Sequence, residues 1–192
     1  MNTRWMAGLT AVAALWLFPA RVAAQAPAGA AAGFKAEVTR SVEDAEKKVI
    51  ALAEKFPAEK YGWHPEGARS TGDAFMHIVN GNYGYAAFMG TPRPEGITRE
   101  SLAKITEKAQ IVDALKKSFT HLKTAIANAS DMDKPVKLFG GREGTVREVM
   151  LLAATHDHEH MGQLIAYARV NGIVPPWSEE APKPAAPTKP GN

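Results

Sequence analysis

Four separate stretches of this chain carry apolar residues at steps of three and four, and none shows the alternation of a strand. The first is the clearest. Phe34, Val38, Val42, Ala45, Val49, Leu52 and Phe56 form one apolar stripe with charges between them, and Pro57 ends it. That pattern is an amphipathic helix with one buried face. After a loop holding Tyr61, Trp63 and Pro65, a second helix is expected from near Ser70 to about Met89. Ser70 with Asp73 three residues on resembles a capping box. No charge lies between Asp73 and Arg93, and a helix uncharged all round is usually buried on most sides. Phe75, Ile78, Val79, Ala86 and Met89 make its main face, and the opposite face carries His77, Gly81, Gly84 and Phe88. Two interior glycines cost about 1 kcal/mol each against alanine, so another helix or a ligand is expected to approach closely there.

Periodicity resumes after Thr91-Pro92-Arg93-Pro94, at Leu102, Ile105, Ala109, Val112, Leu115, Phe119, Leu122 and Ile126. This is one long helix, or a short and a long one with a break near Thr106 to Gln110. Asp131 to Gly144 is rich in turn residues and reads as a loop. Thr145-Val146-Arg147-Glu148 is a capping box that opens the fourth helix. Gly172, Ile173, Pro175 and Pro176 close it, with the glycine in the left-handed cap. Four helices with short connections predict an all-α chain, a four-helix bundle, and bundle cores often hold metal sites.

The ends read differently. Arg4, an apolar run from Met6 to Phe18, Pro19 and then Val22-Ala23-Ala24 have the form of a secretory signal peptide over residues 1–24, cleaved after Ala24. The run is shorter than the ~20 apolar residues of a membrane span. Residues 25–33 are Ala/Gly-rich and read as a linker. Residues 178–192 hold four prolines among alanines and lysines and bury too little to order themselves. The folded domain is then 34–177. Cleavage leaves 168 of 192 residues, enough for one core. It also lowers the net charge from +3 to +1 by removing Arg4 and Arg21, so no basic face argues for nucleic acid. The mature protein is expected to be periplasmic or secreted, with no membrane attachment. Without cysteine, neither a disulfide nor a thiol nucleophile is available.

Against that frame the segment His156-Asp157-His158-Glu159-His160 stands out. At about 100° per residue from Val149, His156 and His160 fall within roughly 20° of the centre of the apolar stripe, and His158 falls roughly opposite. His158 is therefore expected in solvent, while Glu159 and Gln163 flank the stripe. A single core histidine is ordinarily satisfied by one hydrogen bond. Two at this spacing, with Cβ atoms roughly 5–6 Å apart, favour a shared metal ion. A catalytic zinc usually takes three protein ligands and keeps one open position. His121 lies opposite Val112 and Phe119 and is expected to be exposed. That leaves His64, in the loop before the second helix, and His77. His77 is preferred because Gly81 and Gly84 leave room beside it.

His156-x-x-Glu159-His160 also matches the pattern of inverted zinc proteases. Those need a further acidic ligand well downstream, and the acids among the 32 residues after His160 are Glu179 and Glu180. The chain resembles instead the DinB-like superfamily of metal-binding four-helix bundles. Three segments carry the resemblance: Arg69-Ser70-Thr71-Gly72-Asp73 through His77-Ile78; His156 to His160 followed by Met161-Gly162-Gln163-Leu164; and Tyr167-Ala168-Arg169 through Gly172-Ile173-Val174-Pro175-Pro176. The resemblance implies His77, His156 and His160 as ligands of a divalent ion, zinc or nickel, and frequent homodimers. It implies thiol-dependent transferases and an isomerase among the characterised members. An exported chain departs from that setting, because low-molecular-weight thiols are chiefly cytosolic.

Two functions are expected to compete. One is a metal-dependent hydrolase or transferase acting on a small molecule, with Glu159 transferring protons and Gln163 orienting a ligand histidine. The other is a non-catalytic or structural metal-binding bundle.

Overall fold

In a computed structural model, residues 28–179 are described. They are mostly helical, in the order α1 (Ala28–Lys55), α2 (Thr71–Phe88), α3 (Arg99–Leu102), α4 (Lys108–Asn128), β1 (Pro135–Lys137), β2 (Glu143–Thr145), α5 (Val146–Val170) and α6 (Pro176–Glu179). The expected signal peptide and most of the expected tail lie outside the described residues.

Helix α1 starts at Ala28 rather than near Phe34, so residues 28–33 of the expected linker are helical. Alanine continues a helix at no propensity cost, and Ala32 and Gly33 extend exposed beyond the core. Helix α2 begins as the sequence indicates. The Ser70 hydroxyl accepts from the Asp73 backbone N–H at 3.1 Å and donates to the Asp73 carboxylate at 2.7 Å. The third stretch divides into α3 and α4, with residues 103–107 between them, slightly ahead of the expected break. Thr98 and Ser101 form a reciprocal capping box that makes α3 a separate turn.

Two expectations are corrected here. The segment 131–144 is not all loop: β1 and β2 pair antiparallel, with Val136 opposite Gly144. Three-residue strands are too short for alternation to register in sequence, and Gly140 and Gly141, at φ 72° and 80°, turn the chain between them. At the start of α5, Thr145 caps the Glu148 N–H as expected, but the Glu148 carboxylate pairs with Arg142 at 2.7 Å. The far end of α5 keeps its predicted form. Gly172 takes φ 71°, and Ile173 N–H donates to the Ala168 carbonyl at 2.8 Å, the long bond of a Schellman cap. Pro176 then serves as the first residue of α6, where its missing N–H costs nothing.

Helices α1 and α2 each pack against both α4 and α5, so α1 and α2 face one another across the diagonal of the bundle. Leu52, Phe56, Phe75, Ile78, Phe119, Leu122, Met150 and Leu164 are fully buried between the four. Each such side chain contributes about 1.5–3 kcal/mol of burial. The seams also carry polar ties. Asn82 of α2 donates to Ser118 of α4 at 3.2 Å. Lys35 and Lys108 donate to the last carbonyls of α4 and α1 respectively, supplying acceptor-rich helix ends with cations. The seam between α2 and α5 is the one that places the site.

Candidate metal centre

Across that seam three imidazoles meet. His77 comes from α2, and His156 and His160 come from successive turns of α5. The ring centroids of His77 lie 5.0 Å from His156 and 4.5 Å from His160, and the last two are 4.5 Å apart. One ring nitrogen from each lies within 4.8 Å of the other two, so the three can hold a metal ion. All three are half-buried. His64 stays exposed in its loop, with Nδ1 at 3.0 Å from the Pro65 carbonyl.

Glycine makes the seat. A Cβ built on Gly81 would stand 2.4 Å from Cε1 of His156 and 2.9 Å from its Nδ1. The room that Gly81 offers is thus filled by the ring from the neighbouring helix.

The hydrogen bonds around His160 fix its tautomer. The Arg69 carbonyl can only accept, so the Tyr167 hydroxyl donates to it, at 3.2 Å. That hydroxyl then accepts from Gln163 Nε2, at 2.8 Å. Gln163 Oε1 therefore faces His160 Nδ1 at 2.9 Å, and Nδ1 must carry the proton. The lone pair is left on Nε2, as a ligand histidine requires. Gln163 thus orients a ring of the cluster. Tyr167, on the same α5 stripe, and the Arg69 carbonyl extend the chain; the helical spacing places Tyr167 on that stripe, but nothing in it marks the Arg69 carbonyl.

His156 has a different neighbour. Its Nδ1 is buried without a hydrogen-bond partner among the described residues. It lies 3.7 Å from Oδ1 of Asp157, an ion-pair separation beyond hydrogen-bond range. Asp157 is wholly buried, and neither of its oxygens has a partner. Burial raises its pKa, with His156 and then His158 acting the other way. An ion on the remaining nitrogen of His156 would leave Nδ1–H facing this carboxylate and give it a counter-charge. Two orphaned buried groups side by side, together with three convergent imidazoles, fit a divalent ion. Asp157→Asn is therefore expected to raise the melting temperature of the metal-free protein. The buried unsatisfied carboxylate costs more than a neutral amide. The same change is expected to weaken metal binding about 10–100-fold, as loss of an outer carboxylate does. Thermal melts and metal titrations of the same variant check both; no change in either would remove Asp157 from the site.

His77 is a good ligand for electrostatic reasons. Burial, then Arg69, His160 and His156, lower its pKa to about 4. The ring stays neutral near pH 7 and its lone pair is free. Burial likewise lowers the pKa of His160, partly offset by the bond to Gln163. Glu159 is exposed, and its charge reaches His160 and Tyr85.

The other two helical histidines are not solvated as expected. His158 Nε2 lies 3.1 Å from both the hydroxyl and the carbonyl of Ser41, tying α5 to α1. His121 is half-buried against Tyr83, with ring centroids 5.1 Å apart, and burial lowers its pKa. A bundle helix meets two neighbours, so residues opposite one stripe still reach a second seam.

A cleft of about 470 Å³ opens beside the cluster. His77 and His156 line it, with Asn80, Gly81, Gly84, Tyr85, Arg93, Arg99 and Phe139. The cleft thus reaches two of the three histidines that could hold an ion.

The comparisons with known proteins agree with this architecture. A DinB-like protein from Bacillus subtilis shares 22% identity at a TM-score of 0.57, over 72% of this chain and 93% of its own. One from Bacillus cereus shares 21% at 0.62, over 76% and 95%. A mycothiol-dependent maleylpyruvate isomerase shares 14% at 0.57, over 68% and 60%. At these identities the likeness is one of fold. No protein curated for function matches the chain. The family model of the DinB superfamily matches residues 41–164, from α1 to the last turns of α5, and so takes in all three histidines. The chain belongs to the DinB superfamily.

Proposed function

We propose that this protein is an exported metal-dependent hydrolase or transferase, with zinc as its expected ion and nickel as the alternative. The observation that carries the reading is the cleft against His77 and His156, next to a cluster of three ligand residues and no fourth among the described His, Asp and Glu side chains. A structural zinc site is closed by four protein ligands. That difference favours catalysis over the structural reading. A divalent ion held there supplies Lewis acidity to an oxygen or sulfur of the substrate. The chain's own groups do the rest. Gln163 holds His160 in the ligand tautomer, and Asp157 balances His156. Tyr85 lines the cleft 5.4 Å from the His156 ring, and burial raises its pKa. Its hydroxyl remains a hydrogen-bond donor for substrate, whereas Glu159 stands outside the lining residues.

The fold shared with a mycothiol-dependent isomerase supports an enzyme in general terms. The basic start and apolar run of residues 1–24 support export. Among the described residues no helix is long and apolar enough to cross a membrane. The test is a screen of the zinc- and nickel-loaded protein against ester, amide and thiol-transfer substrates. At least one class is expected to turn over with the ion and to stop on chelation. Inactivity of both loaded forms towards all three classes would leave the non-catalytic metal-binding bundle as the better description.

A further inference from the structure

One wall of the cleft has no part in holding an ion. Arg93 and Arg99 both line it, and neither makes an ion pair with an acid among the described residues. Arg93 is fixed in place. Its Nη2 donates to the Asn80 carbonyl at 3.2 Å and its Nη1 to the Asn80 side-chain oxygen at 3.5 Å. Its guanidinium carbon lies 5.7 Å from the Tyr83 ring centroid. A guanidinium has five N–H donors, so most of this one remains free. The two cations also feel each other: burial first, then Arg99, lower the pKa of Arg93. The nearby acid, Glu100, is fully exposed and bonded to its own backbone and Thr98. Two like charges on the wall of one cleft focus a positive potential into it.

The rest of the wall is apolar and thin. Gly84 leaves the α2 backbone bare beside the His156 ring that covers Gly81, and a Cβ on Gly84 would meet Phe139 Cζ at 3.9 Å. Phe139 stands edge-on to Tyr85 and Phe88, at 5.7 and 4.9 Å, yet keeps 54% of its surface exposed. An exposed aromatic edge over a glycine floor suits a flat apolar body. Asn80, which anchors Arg93, follows His77 by three residues, about one turn and roughly 4.5 Å along the axis. The cationic end and the histidine end therefore lie within the length of a small molecule.

We propose that Arg93 and Arg99 form an oxyanion subsite, and that the ligand of the cleft is a small amphiphilic anion. Its carboxylate or phosphoryl group meets the two guanidinium groups, its apolar body lies across Tyr85 and Phe139, and its other end reaches His77 and His156. Arginine suits this task because its planar fork matches both groups in a bidentate fashion. The inference rests on reading the cleft as a substrate site, and it specifies the class of substrate.

Benzoate, phenyl phosphate and uncharged benzamide separate the contributions. Each is titrated by calorimetry into the purified protein, zinc-loaded and chelator-treated. The anions are expected to bind at least about tenfold more tightly than benzamide, a difference of about 1.4 kcal/mol. Whichever anion binds better identifies the headgroup. Arg93→Gln and Arg99→Gln are each expected to remove most of that preference and to leave benzamide unchanged. Arg93 also ties Asn80, so its replacement can disturb the fold. Arg99→Gln breaks no side-chain hydrogen bond among the described residues and keeps the test decisive. Equal affinity for benzoate, phenyl phosphate and benzamide, or anion binding unaltered in Arg99→Gln, overturns the subsite. Zinc binding is measured separately on the same samples. Arginine-dependent anion binding in a protein that takes no zinc would sustain the subsite and sink the metal. Zinc binding with arginine-independent anion affinity would do the reverse.

Discussion

Replacing His77, His156 or His160 by alanine, one at a time, is expected to lower zinc affinity by at least about 100-fold, beyond the range typical of outer partners. Each removes one of the three nitrogens that lie within 4.8 Å of one another, and two remaining imidazoles make a weak site. His158→Ala and His121→Ala are the controls. His158 is engaged with Ser41, so its loss costs stability, on the order of 1 kcal/mol for one hydrogen bond, but no metal. His121 packs against Tyr83 on the α4 side of α2. Zinc content by elemental analysis, with melting curves to confirm folding, reads the series. Equal retention in all five variants would eliminate the cluster as a metal site.

Gly81→Ala is expected to part stability from metal binding. The added Cβ would stand 2.4 Å from the His156 ring, a separation no carbon pair tolerates, so the imidazole must swing away. Alanine also gains about 1 kcal/mol of helix propensity over glycine at a mid-helix position. A folded protein with strongly weakened zinc binding is therefore expected, its melting temperature held near the wild type by that gain. Gly84→Ala is the matched comparison, because its Cβ meets Phe139 at an ordinary 3.9 Å. It should raise the melting temperature and keep the ion. Full zinc affinity in Gly81→Ala would contradict the seat described for His156.

Much of the site was legible because it is local. His156 and His160 share a stripe by helical period alone. Gln163, three residues past His160 on the same helix, followed from the same wheel. His77 is the weaker reading from sequence, because its glycines signal only that another helix or a ligand approaches closely, and at Gly81 it is the His156 ring of α5 that does so. Asp157 is invisible to the sequence reading, since nothing local shows that the packing of α5 buries it completely. Tyr167 lies on the same α5 stripe as His160 and Gln163, but the Arg69 carbonyl, Arg93, Arg99 and Phe139 belong to segments far from α5 in sequence, and no periodicity connects them to it.

The sequence by itself determined the helices, their caps at Ser70, Thr145 and Gly172, and the pairing of two imidazoles on one face. Those features depend on contacts within three or four residues, where covalent geometry fixes what can meet. Only the tertiary structure decided that α2 lies beside α5 and across the diagonal from α1. That choice brings His77 to the pair, buries Asp157 and opens a cleft walled by Arg93 and Arg99. It depends on how four apolar stripes share one core, a property of all the helices together and of none singly.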